Sequence, residues 1–97
     1  STQIDVDISF TMYIIAGYTK ATIINNINTA LTDFINGYKL GIDVEQSEIL
    51  TQILNVEGVD QVLLPLTKFN KTGVSGNVNI IEIKNNEFAR IKNISVV

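Results

Sequence analysis

The sequence predicts an α+β fold of order β-α-α-β-β-β, one small, mostly antiparallel sheet with two helices packed on one face. Three observations predict it. An apolar alternation of period two opens the chain, two stretches of helical period follow, and the remainder is short strand-like runs punctuated by Gly, Asn and one Pro. The chain has 97 residues, room for one domain around one core.

In the opening stretch Ile4, Val6, Ile8, Phe10, Met12 and Ile14 alternate with Asp5, Asp7, Ser9, Thr11 and Tyr13. Such alternation marks a strand with one buried face, its polar members on the other. Ala16-Gly17-Tyr18 breaks it, and Thr19 is the expected N-cap of a first helix from Lys20 to Tyr38. There Ile23, Ile24, Ile27, Ala30, Leu31, Phe34, Ile35 and Tyr38 recur at spacings of three and four. The opposite face is largely Asn and Thr, poor helix formers, so the helix depends on packing its stripe. Gly37 and Gly41 bracket its end, where left-handed positions are needed.

A second helix is expected over Glu45 to Val56, with Ile49, Leu50, Ile53, Leu54 and Val56 on its apolar side. Asp43 with Gln46 resembles a capping box, and Ser47 is an alternative cap. Glu57-Gly58 ends it. Val59 to Phe69 reads as a strand, at an edge or bulged because Pro65 removes a ladder donor. Asn70 to Asn77 is a glycine-punctuated loop and Val78 to Lys84 a strand. Asn85-Asn86-Glu87 reads as a tight turn, and Phe88 to Val97 as a last strand with a possible break at Asn93.

The residue set excludes much chemistry. With no His and no Cys, a Ser-His-Asp triad, thiolate nucleophiles, disulfides and the usual zinc sites are all ruled out. A net charge of −3 and a pI near 4.7 argue against nucleic acid as a partner, and against an anionic membrane surface. No apolar run approaches the roughly 20 residues a membrane span needs. At 45% apolar and 18% charged residues the composition is that of a folded globule.

Asp5 and Asp7 stand roughly 6 to 7 Å apart on one strand face, and half of a calcium or magnesium site is one reading of them. A solvated polar face is the reading preferred here. Asp43, Glu45 and Glu48 are read as carboxylates near a helix N-terminus. Gly73 and Gly76 beside Lys71-Thr72 lack the spacing of a phosphate-binding loop and are read as a turn. The glycosylation patterns at Asn70 and Asn93 follow from the abundance of Asn. Phe10 and Phe34 fall on core faces, whereas Tyr13, Tyr18, Tyr38, Phe69 and Phe88 lie near element ends. No cofactor, no metal and no enzymatic activity is expected. A small ligand-binding or regulatory domain is the alternative, and would need a cavity lined by Tyr18, Tyr38 and the two Asp residues. A weaker alternative is a carboxylate enzyme using Asp5 and Asp7.

From Thr19 to Leu64 the motifs form a recognisable succession. Ala30-Leu31-Thr32-Asp33-Phe34-Ile35 leads into Leu40-Gly41-Ile42-Asp43-Val44, then Ser47-Glu48-Ile49-Leu50-Thr51-Gln52-Ile53, then Val56-Glu57-Gly58-Val59-Asp60-Gln61-Val62. This resembles the C-terminal region of the bacteriophage baseplate J-like family, the wedge-ring proteins of contractile tails. There a strand opens the domain and a long helix runs into an l-x-x-l-x-x-G-x-x-v turn. A second helix then starts near s-x-I/L, and a v-x-G-V-x-x-V junction begins the next strand. The resemblance covers Ile4 to the final strand. It departs at Glu45-Gln46, where an aromatic often precedes the second helix, and in lacking the larger upstream domains.

What the resemblance implies is a structural protein of the virion, assembled in the bacterial cytoplasm. Copies would associate with one another and with neighbouring baseplate proteins in the ring around the tail hub. The chain, starting at Ser1-Thr2-Gln3, is then expected to be the C-terminal domain of a longer wedge protein. The interface is expected on the last strand at Phe88, Ile94, Val96 and Val97, an apolar end better covered than solvated.

Overall fold

A computed structural model describes residues 1–97. Its elements in chain order are β1 (Thr2–Phe10), β2 (Met12–Ile14), α1 (Lys20–Asn36), β3 (Val44–Glu45), α2 (Gln46–Leu54), β4 (Val59–Val62), β5 (Lys68–Lys71), β6 (Ile80–Ile81) and β7 (Glu87–Val96). The α+β class is as expected. The strands, however, form a three-stranded sheet of order β5-β1-β7 and two ribbons, β2-β4 and β3-β6, rather than one sheet. Three of the four pairings are antiparallel; β1 with β7 is parallel.

The first strand divides at Thr11. The alternation continues through it, with Met12 buried and Tyr13 exposed, but the hydrogen-bond partner changes from β7 to β4. Leu63 N–H donates to the Thr11 carbonyl at the crossing. A side-chain pattern reports which face is buried and not which strand lies alongside, so the division leaves no trace in the periodicity.

Val6, Ile8 and Phe10 of β1 are fully buried against Ile23, Ile27, Leu31 and Ile35 of α1 and Ile49 and Ile53 of α2. Both helices therefore join one core on one side of β1. Thr19 and Gly37 are the caps of α1, but the Thr19 side chain makes no capping bond and Gly37 is right-handed (φ −81°). Gly41 does take the left-handed conformation expected of it (φ 74°).

Neither proposed cap of α2 acts as one. Its N-cap is Glu45, without a side-chain bond, and Asp43 instead accepts from the Ile83 N–H at 2.7 Å. That carboxylate ties the approach to α2 to the segment after β6, supplying a partner to a backbone donor outside any ladder.

Gly58, in the junction before β4, has φ 95° and is buried. A Cβ there would lie 2.7 Å from the side chains of both Ile23 and Tyr18. Its carbonyl accepts from Ile15 N–H, locking the start of β4 to the end of β2. The glycine of the v-x-G-V junction is thus required by both backbone conformation and space.

The strand expected over Val59 to Phe69 is interrupted at Leu63–Thr67, around a cis Leu64–Pro65 bond. Val78 to Lys84 keeps only the two residues of β6, because from Asn77 onward the chain bonds to β5 outside regular pairing. Asn77 Oδ1 accepts from Phe69 N–H at 2.9 Å, and Val78 N–H donates to the Phe69 carbonyl at 3.1 Å. Phe69, placed near an element end by the sequence, is fully buried.

Candidate assembly surfaces

The central sheet has two edges, and they differ. At β5 the following loop folds back over its own strand. Lys68 Nζ donates to the carbonyls of Val74 and Gly76, and Asn70 Nδ2 to those of Ser75 and Gly76. Gly73 and Gly76, both at positive φ, give the turns that permit this. The loop is a clasp built on carbonyl acceptors rather than a phosphate cradle of amides.

At β7 the first part of the outer edge is also satisfied. Gly41 N–H donates to the Glu87 carbonyl at 2.9 Å, and Arg90 donates to the carbonyls of Ala89 and Tyr38. The guanidinium lies 4.6 Å from the Phe88 ring centroid, over its face. From Ile91 to Val96 the outer edge bonds to nothing else in the chain, since β7 pairs only with β1.

The four residues expected at an interface sit on this strand but do not form one patch. Ile94 and Val96 stand opposite Ile8 and Phe10 and are half-buried against the core. Phe88 stands opposite Gln3 on the sheet's other face, beneath Arg90. Val97 is 68% exposed, while its N–H and carbonyl extend the ladder to Phe10 and Met12. The strand is continuous, with a register shift where a break at Asn93 was expected. Val6 pairs with Ile91 and Asp7 with Asn93, so Lys92 is the extra residue of a bulge.

The other candidates resolve into structural roles. Asp7 accepts from Thr72 Oγ1 at 2.7 Å and Asn93 Nδ2 at 2.8 Å, pinning the loop after β5 and β7 to the strand between them. Asp5 accepts from Gln3. No group of three or more acidic side chains converges as a metal site would require. No cavity is lined jointly by Tyr18, Tyr38 and these carboxylates. Tyr18 donates to Glu57 at 3.1 Å, and that bond, followed by the carboxylate's charge and by burial, raises its pKa above the ordinary 10. Tyr38 packs edge-on against Phe34, ring centroids 5.3 Å apart. Burial, then the charges of Glu48 and Glu45, pushes its pKa up to about 12, and its buried hydroxyl has no hydrogen-bond partner. Glu48 is itself raised, by its hydrogen bond with Glu45, by burial and by the charge of Glu45.

One surface escaped the sequence reading. Leu64, 59% exposed, faces Ile80 and Leu50 across a groove of about 350 Å³ at the start of α2, with Glu45 and Gln46 at its rim. The signal available was Leu63-Leu64-Pro65, an apolar pair beside the residue that ends the ladder.

A small α+β module with an open strand edge and exposed apolar side chains has surfaces on which other chains can pack. The family model for the Baseplate J-like protein C-terminal domain matches residues 6–97, and the chain belongs to that family. Its role is accordingly that of a structural component of the phage tail baseplate. A comparison with curated proteins gives no match. No helix is long and apolar enough to cross a membrane.

Proposed function

We propose that the domain is an assembly module through which copies of its protein associate with one another and with neighbouring baseplate proteins, in the wedge ring around the hub of a contractile tail. It acts without turnover or cofactor, as the C-terminal domain of a longer wedge protein that assembles in the host cytoplasm. The observation that carries this reading is the outer edge of β7, unpaired from Ile91 to Val96. Unpaired N–H and C=O groups in a row are a template for another strand. Phe88, Ile94, Val96 and Val97 flank that edge and are proposed as its apolar contacts.

Sedimentation equilibrium over a wide concentration range tests it. The mass rises with concentration if copies associate, and Val96→Pro lowers the association by removing an outward donor while leaving the bonds of Val97 to β1 in place. A strict monomer at the highest concentration would refute self-association through this edge.

A further inference from the structure

The groove beneath Leu64 and the clefts along β7 share no lining residue. In the sheet order β5-β1-β7 the outer strands are β5 and β7, and Val78, two residues before Ile80, is bonded to the outer side of β5. Their chemistry is complementary. The groove is walled by Leu50, Leu64 and Ile80, and Glu45 is its single charged lining residue. Glu48, in the first turn of α2 that Glu45 caps, adds a second carboxylate at that end of the helix. The clefts along β7 have the reverse lining. Lys92 lies between Ile91 and Ile94 in one, Lys39 and Arg90 beside Phe88 in the other, and neither contains a carboxylate.

Lys92 is the element that makes the match specific. As the extra residue of the bulge it has no partner on β1 and is exposed, at the edge that lacks a neighbouring strand. A cation flanked by two isoleucines suits an apolar groove with carboxylates at its rim, where each charge gains a partner as water leaves.

We infer that the groove of one copy receives the β7 edge of a second copy, Lys92 meeting Glu45 and Glu48 while Leu64 and Ile80 cover the apolar side chains at the edge. This rests on the self-association proposed above and specifies its mode. Two different surfaces meet head to tail, so each copy keeps one of each surface free, and assembly propagates into a ring or a filament instead of stopping at a two-fold dimer.

Two single variants and their mixture test it in the full 97-residue chain. Leu64→Asp disables the groove and Lys92→Glu the edge; both side chains are exposed, and far-UV circular dichroism verifies the fold. Each variant alone should associate about tenfold or more weakly than the wild type. Mixed in equal amounts, they should form a complex that ends at two chains, because just one intact groove and one intact edge remain to meet. Glu45→Lys gives a second groove variant, and combining it with Lys92→Glu should restore part of the association. If Leu64→Asp and Glu45→Lys associate as the wild type does, the groove is not the seat and this inference falls, while edge-mediated self-association stands. If the two variants fail to combine when mixed, the occupant is not the edge of a second copy. A monomeric wild type would overturn both readings.

Discussion

Between Lys20 and Asn36 the chain is held by side chains at one helical spacing; between Leu63 and Lys84 it is held by hydrogen bonds outside any long ladder. Ile23, Ile27, Leu31 and Ile35 are all fully or almost fully buried, each one turn from the next. The second stretch has just two short strands, and Asn70 and Asn77 make bonds that regular pairing would otherwise make. The first region excludes water through shape. The second leaves Leu63, Leu64, Val74, Val78 and Ile80 more than a third exposed, and it is there that an apolar groove opens. A stretch held through its own polar groups has its apolar side chains free for another molecule.

The largest effect should come from the regular region. Ile27→Ala removes a fully buried side chain from the centre of the α1 stripe and should destabilise the fold by about 3 to 4 kcal/mol, measured by urea unfolding. Should the loss be below about 1 kcal/mol, the stripe would not carry the core as described. Asn77→Ala sharpens the contrast from the other side. It strips an acceptor from Phe69 N–H and donors from the carbonyls of Leu66 and Thr67, and should lower stability by about 2 kcal/mol. Amide hydrogen exchange at Phe69 should accelerate in that variant more than at Ile27.

The smallest effect is expected at Tyr38, which belongs to neither scheme. Its hydroxyl is buried without a partner, so Tyr38→Phe should be neutral or stabilising by up to about 1 kcal/mol at pH 8. The folded-state pKa is raised to about 12 from an ordinary 10. The folded protein therefore resists losing that proton, and stability should be constant below pH 10 and fall as the pH rises towards 12. Tyr38→Phe should blunt that alkaline loss in thermal melts taken from pH 9 to 12.

The same contrast explains what the sequence revealed. Periodicity located α1 to within two residues and marked Val6, Ile8, Phe10, Ile49 and Ile53 as core, because burial on a regular element imposes a regular spacing. It joined β1 to β2 and β4 to β5, since a change of ladder partner leaves alternation intact and Leu66 and Phe69 stay buried across the interruption. Asp43 was misplaced as a helix cap because its partner, Ile83, lies 40 residues away. The apolar composition of the last strand makes it the expected interface, but its parallel pairing to β1 and the bulge at Lys92 are long-range facts. The groove needs α2, β6 and Leu64 brought together from three parts of the chain.

The parallel pairing sets a schedule. Thr2 to Phe10 pair with Glu87 to Val96, so the central strand of the sheet waits for nearly the whole domain to be synthesised before its second neighbour arrives. Contacts so distant along the chain close late and slowly. Until then β7 presents no edge, and Val6 and Ile8 of β1 lack Ile91 and Ile94 beside them. A nascent chain on the ribosome therefore has no finished edge to offer another, so association of this kind begins with completed domains.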